Sequence, residues 1–176
     1  MSGSRTIHLL RHAKSSWDDP ALPDLERSLA PRGRRATAAI HRHLEEEGIR
    51  PDLILCSPAL RARQTLEGIV GAREGVPVRV EEGIYFGGGA AVLGLLRTLP
   101  GSCTSAMVIG HNPTLEDLAM ALLDRQSDHD PCLRRMSYKY PTGALATLEG
   151  PAAWPDLEPG QCRLVSFVRP RDLPGY

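Results

Sequence analysis

Short apolar runs alternate with helical patterns along most of this chain. Apolar residues that recur every three or four positions indicate a helix, and a short apolar run between turn residues indicates a buried strand. The strands predicted in this way span residues 6–10, 52–56, 76–81, 106–110, 144–148 and 163–168. The predicted helices span residues 34–47, residues 59–70, a segment within 92–99, and a stretch that begins at Thr114.

The alternation of strands and helices predicts an α/β fold with a largely parallel central sheet. The length of 176 residues fits one domain, and the sequence contains neither an internal repeat nor a composition change that would indicate a domain boundary. Residues 126–140 are polar and are predicted to form a loop. A second loop is predicted at residues 150–160, which contain three prolines, and residues 170–176 are predicted to form a tail.

The charge balance excludes two classes of partner. Lysine and arginine total 21, aspartate and glutamate total 21, and the formal net charge is zero. No global field therefore attracts the chain to nucleic acid or to an anionic membrane. No apolar run approaches the length of about 20 residues that a membrane helix needs. The four cysteines lie far apart without metal-ligand spacing, so we expect free thiols, no metal and a cytoplasmic location.

Chemically active side chains follow three of the predicted strands. Arg11 and His12 follow the first strand, Ser57 follows the second and leads to Arg61, and His111 follows the fourth. Parallel sheets bind ligands at the carboxyl ends of their strands, so we expect these residues at one edge. Arginine matches the geometry of phosphate oxygens, and a neutral imidazole can attack phosphorus and carry the phosphoryl group. The pattern therefore predicts a phosphate site.

Five sequence segments resemble the histidine phosphatase superfamily, the phosphoglycerate mutase-like proteins. The residues RHA at 11–13 are similar to the family's RHG signature, and SPALRARQT at 57–65 is similar to its second arginine segment. VIGHNPTL at 108–115 resembles the segment of the second histidine, and RSLAPRG at 27–33 resembles the stretch that opens the first helix. LLRHAKSSWDD at 9–19 is most similar to the short SixA-like phosphohistidine phosphatases. The resemblance implies a three-layer αβα sandwich.

The resemblance also implies roles for individual residues. His12 would be the nucleophile that accepts the phosphoryl group, Arg11 and Arg61 would hold its oxygens, and His111 would complete the pocket. Ser16 falls near a position where the family often adds a polar phosphate contact. Glu82 lies where larger members have a carboxylate acid, although a surface carboxylate is the simpler interpretation. The family needs no cofactor and no metal for this chemistry.

Several alternatives remain at the level of sequence. Either histidine could be structural, although their matched positions beside arginines argue against this for both together. Cys56 and Arg61 resemble the Cys-x5-Arg loop of cysteine phosphatases, but the spacing is one residue short, so Cys56 is interpreted as a buried thiol. Protein phosphohistidine is the first substrate hypothesis, because the short chain lacks the insertions that cover small substrates. A phosphorylated metabolite is the rival substrate. A sugar-phosphate mutase and a non-catalytic phosphate-binding module are less favoured.

Overall fold

The computed structural model describes residues 3–70, 75–124 and 130–176. Within these residues, six strands form one sheet. The strands are β1 (Thr6–Arg11), β2 (Leu53–Cys56), β3 (Val78–Val80), β4 (Ser105–Gly110), β5 (Leu145–Glu149) and β6 (Arg163–Val168). The helices are α1 (Pro31–Glu46), α2 (Leu60–Val70), α3 (Gly83–Phe86), α4 (Gly88–Arg97), α5 (Thr114–Leu122) and α6 (Pro131–Tyr138). Short 3-10 turns lie at Asp24–Glu26, Trp154–Asp156 and Pro170–Asp172.

The strand order is β3-β2-β4-β1-β5-β6, so the chain crosses over between the inner strands. β3, β2, β4 and β1 are parallel, which requires crossover connections such as the helices between them. β5 and β6 are antiparallel additions at one edge, and the loop that joins them contains no long helix. The predicted α/β fold with a mostly parallel sheet is confirmed.

Helices cover both faces of the sheet and produce three layers. Along β1, Ile7 and Leu9 face one side and Leu10 faces the other, as expected for successive residues of a strand. The side with Leu10 packs against α1 and α2, with Ile40 and Leu44 in its core. The opposite side packs against apolar residues of α4, α5 and α6. These inner strands are therefore buried on both faces, which explains their continuous apolar sequences.

One predicted loop is wrong. Residues 131–138 of the polar segment form α6, whereas residues 126–129 lie outside the described part of the chain. The Asp130 side chain accepts a hydrogen bond from the Cys132 amide, and Pro131 occupies the first helical position, where it fits well. Only Leu133 and Met136 are buried, so two apolar positions three residues apart gave too short a pattern to indicate a helix.

Two expectations from the composition can be compared with the structure. All four cysteines are free thiols, and Cys56, Cys103 and Cys162 are buried. Among the described helices, none has the length and apolar character needed to cross a membrane.

Candidate active site

The two histidines meet because β1 and β4 are adjacent parallel strands. Arg11 is paired with Gly110 in the register of the sheet, so the next residue of each strand leaves the same edge at the same level. The amide of His12 donates to the carbonyl of Gly110 at 2.9 Å. The ring centroids of His12 and His111 are 5.0 Å apart. The sheet register alone therefore brings together histidines that are 99 positions apart in the sequence (111 − 12).

Arg61 joins the two histidines from the first turn of α2. Its Nε donates to Nε2 of His12 at 3.3 Å, and its Nη2 lies 3.4 Å from Nδ1 of His111. The Thr65 hydroxyl donates to the Arg61 carbonyl and accepts from the amide of Ala13, next to His12. The start of α2 is thus bound to the backbone beside His12, and the guanidinium is held in place.

The protonation of His12 suits a nucleophile. Its Nδ1 lies 2.7 Å from the carbonyl oxygen of Ala13, which can only accept, so Nδ1 carries the proton. Nε2 is then unprotonated, and its lone pair faces Arg61. Burial is the main cause that lowers the pKa of His12 to about 3, and the charges of His111, Arg61 and Arg11 act in the same direction. The imidazole is therefore neutral at physiological pH and can form a bond to phosphorus.

His111 is also held in a neutral form. Nδ1 faces the Arg61 guanidinium, which can only donate, and Nε2 lies 2.6 Å from the Ser57 hydroxyl oxygen. This arrangement assigns the proton to Nε2, which donates to Ser57. Burial is the largest cause that lowers the pKa of His111 to about 4, followed by the charge of Arg61. Ser57 thus orients His111. Ser57 is the first residue of the motif SPALRARQT, but the sequence alone did not indicate this role.

Arg11 borders a cavity of about 190 Å³ at this sheet edge, which we call the phosphate cavity. Its Nη1 donates to the carbonyl of Tyr140 at 2.7 Å, and its Nε is buried without a hydrogen-bond partner among the described residues. Burial lowers the pKa of Arg11, while the nearby charge of Glu116 opposes that effect. His12 and Arg61 line the same cavity. A neutral histidine and two arginines therefore border one space, which suits a phosphoryl group.

Asp24 is the main site residue that the sequence analysis missed. Its Oδ2 accepts from Arg61 Nη2 and from the Tyr85 hydroxyl, both at 2.7 Å, and its carbonyl accepts from Arg61 Nη1 at 2.5 Å. Partial burial acts to raise the pKa of Asp24, but the hydrogen bonds from Tyr85 and Arg61 lower it overall. The residue lies in a polar segment with several prolines, where no apolar periodicity distinguishes one carboxylate from another.

The structure does not bring Ser16 or Glu82 into the phosphate cavity. The Ser16 hydroxyl donates to Asp18 at 2.7 Å, whereas the neighbouring Ser15 lines the cavity. Glu82 is exposed at the beginning of α3 and has no side-chain hydrogen bond to the other predicted site residues. The geometry thus gives neither residue a contact with the cavity, and their roles remain predictions.

Cys56 does not have the environment of a phosphatase thiolate. It is fully buried at the end of β2, and burial raises its pKa to about 12. A thiol with this pKa stays protonated at neutral pH and is a poor nucleophile. In the part of the chain that the structure describes, no group of three or more His, Cys, Asp or Glu side chains could hold a metal ion.

Comparison with known proteins identifies the family. The sequence model of the histidine phosphatase superfamily (branch 1) matches residues 7–85. An uncharacterized protein of Mycobacterium tuberculosis is 36% identical over 164 residues, which cover 92% of this chain and 100% of that relative. A structure from Nakamurella multipartitia, assigned as phosphohistidine phosphatase SixA, superposes with a TM-score of 0.82 at 29% identity over 96% of this chain and 97% of that one. The corresponding protein from Agrobacterium tumefaciens gives a TM-score of 0.79 at 29% identity, over 93% and 97% of the two chains. The chain therefore belongs to the histidine phosphatase superfamily and is a SixA-like member of it.

Proposed function

We propose that this protein is a phosphatase that forms a covalent phosphohistidine on His12. The observation that carries the proposal is the geometry of His12 Nε2, an unprotonated nitrogen that faces Arg61 beside the phosphate cavity. The neighbouring arginines supply positive charge where the equatorial oxygens of a transferred phosphoryl group would lie.

The reaction has two steps. Nε2 of His12 attacks phosphorus and the bond from phosphorus to the leaving atom breaks. The leaving atom keeps the electron pair and takes up a proton from the surrounding water. Water then attacks the phosphorus of phosphohistidine, inorganic phosphate leaves, and the nitrogen regains its lone pair. Arg11 and Arg61 hold the phosphoryl oxygens in both steps, and His111 completes the pocket as a neutral hydrogen-bonding group.

Protein phosphohistidine is the substrate that we propose first. Two features support it: the likeness to SixA-like structures, and the exposed position of Glu82 away from the cavity. A P–N bond is labile and requires less proton donation than a phosphate ester, so a phosphohistidine substrate has less need of a carboxylate acid. A small phosphorylated metabolite is the alternative substrate. We also propose a cytoplasmic location, which agrees with the free thiols.

The test of the nucleophile is turnover of p-nitrophenyl phosphate by wild type and by His12→Ala. We expect a loss of several orders of magnitude, because removal of a covalent nucleophile eliminates the first step. His43→Ala, on α1 outside the site, is the matched control and should retain turnover. Wild-type turnover in the His12→Ala protein would refute the mechanism.

The substrate is tested with two peptides of the same sequence that carry phosphohistidine or phosphoserine. Faster phosphate release from the phosphohistidine peptide would support the first proposal. Equal and slow release from both peptides, together with rapid hydrolysis of a sugar phosphate, would favour the metabolite alternative.

A further inference from the structure

A second cavity, of about 310 Å³, lies beside the phosphate cavity and shares part of its wall. Arg11, Lys14 and Thr142 line both cavities, so the two cavities are adjacent. We call the second space the cationic cavity. Its positively charged lining residues are Arg11, Lys14, Arg32, Lys139, Arg169 and Arg171. No aspartate or glutamate of the described residues belongs to this lining.

These charged residues come from separate segments of the chain and meet around one cavity. Arg32 comes from the first turn of α1, Lys139 follows α6, and Arg169 and Arg171 follow β6. The whole protein has equal numbers of basic and acidic residues, so a general excess of positive charge does not account for the accumulation. Like charges around one concave space repel each other and focus a positive potential within it.

Asp172 neutralises only part of the positive charge around the cationic cavity. Asp172 accepts from Arg169 Nε at 2.7 Å and from its Nη2 at 2.9 Å, and it also pairs with Arg135. Arg171 is 4.0 Å from the same carboxylate. Lys14 and Lys139 are exposed and have no ion pair with a described residue. Their ammonium groups are therefore free to bind an incoming anion.

The position of Arg32 further increases the positive electrostatic potential in the cationic cavity. Its Nε donates to the hydroxyl of Tyr176 at 2.8 Å, which holds the guanidinium at the cavity wall. The first turn of α1 contains no acidic residue, and the N-terminus of a helix carries the positive end of its dipole. A second anion would compensate both the cations and the helix dipole.

We propose that the cationic cavity binds a second anionic group of the substrate, a phosphate or a carboxylate, while the phosphate cavity holds the transferred phosphoryl group. This inference rests on the proposed phosphatase function and specifies the substrate class. The substrate carries at least two anionic groups, close enough for one to reach each cavity. Arg11 borders both cavities and lies between the two groups.

Matched aryl phosphates test the second anion. Phosphate release is measured with phenyl phosphate and with its 3-carboxy and 4-carboxy derivatives, which add one carboxylate. For wild type we expect kcat/KM to be about tenfold higher for the better carboxylated probe, and the preference should shrink between about 0.05 M and about 0.5 M salt as the charges are screened. In Lys139→Glu/Arg171→Glu, the preference for the carboxylated probe should fall at least fivefold. The matched control Arg79→Glu/Arg163→Glu reverses two exposed arginines outside the cavity and should keep the wild-type preference.

The outcomes separate the two proposals. Failure of wild type to release phosphate from both p-nitrophenyl phosphate and the phosphohistidine peptide would count against the phosphatase function itself. Hydrolysis of phenyl phosphate without a preference for either carboxylated probe, or a preference that persists in Lys139→Glu/Arg171→Glu, would overturn the cationic subsite alone.

The second anionic group could belong to a small-molecule substrate or to an acidic residue beside a phosphohistidine in a protein substrate. Phosphohistidine peptides with glutamate or alanine next to the modified residue distinguish these sources. A preference for glutamate that the double variant loses assigns the second anion to a protein substrate. A preference confined to the small probes assigns it to a small molecule, and no preference in either series refutes the inference.

Discussion

At the scale of single residues, Arg61 is engaged before any substrate arrives. Two of its nitrogens donate to Asp24, and its Nε faces His12. A phosphoryl group that binds Arg61 must compete with the Asp24 carboxylate or displace it. Asp24 is therefore an internal anion that already occupies hydrogen-bond donors of Arg61 in the free protein.

Asp24→Ala should strengthen the binding of inorganic phosphate. Removal of the carboxylate frees Arg61 Nη2 and removes a negative charge from the cavity wall, so the inhibition constant for phosphate should fall about threefold, or ~0.6 kcal/mol. The measurement is competitive inhibition of p-nitrophenyl phosphate turnover. Tyr85→Phe is the control, because it removes one hydrogen bond to Asp24 but leaves the carboxylate in place. Weaker phosphate inhibition in Asp24→Ala would show that Asp24 positions Arg61 instead of competing with the ligand.

The sequence predicted the residues that follow strands and missed those that do not. His12 and His111 could be placed together because each follows an apolar run, and the parallel register then determines their proximity. Asp24 approaches Arg61 through a 3-10 turn in a polar segment, where the local pattern contains no information about distance. Ser16 and Ser15 show the same limit, because a shift of one residue in a loop decides which hydroxyl lines the cavity.

At the scale of elements, the start of α1 is packed against the segment that follows β1. The amide of Ala30 donates to the carbonyl of Lys14 at 2.9 Å, and Gly33 lies directly against the same peptide group. Lys14 is two residues beyond His12, so this contact holds the backbone that follows His12 in place. The family-like stretch at residues 27–33 thus has a structural purpose in holding the site.

Gly33→Ala should destabilise the protein and reduce its turnover. An added Cβ would lie 2.2 Å from the Lys14 carbonyl oxygen, which belongs to the backbone and cannot rotate away, so we expect a loss of roughly 2 kcal/mol or more. Gly94→Ala, in α4, is the matched control: its Cβ meets nothing within 4 Å, and alanine should add about 0.5–1 kcal/mol. Urea denaturation and p-nitrophenyl phosphate turnover measure both effects. Equal stabilities of the two variants would contradict the proposed contact.

The elements were predicted well where the apolar pattern was long and poorly where it was short. β6 was predicted with its observed bounds, and β1 and β4 to within one residue at one end. α6 was missed, since its stability comes from a capping aspartate and from burial of Leu133 and Met136 against distant strands. The packing of a short helix is a tertiary effect that local periodicity does not contain.

At the scale of the whole molecule, the protein is neutral overall but places positive charge and neutral histidines at one edge of the sheet. The arginines and burial together favour the uncharged imidazoles of His12 and His111. This preference disfavours protonation in the folded state only, because the unfolded chain exposes both histidines to water. The stability of the protein is therefore linked to pH through its active site.

The free energy of unfolding should decrease as the pH falls from about 6.5 towards about 4. In this range the unfolded chain binds protons at His12 and His111, whereas the folded protein, with pKa values of about 3 and about 4, does not. Since protons then favour the unfolded state, each histidine should contribute a loss on the order of 1 kcal/mol per pH unit. Urea denaturation in phosphate-free buffer at about pH 7 and about pH 5 measures how steeply the free energy of unfolding changes with pH. His12→Asn should make this dependence shallower. A wild-type stability that is constant over this range would contradict the neutral assignment of both histidines.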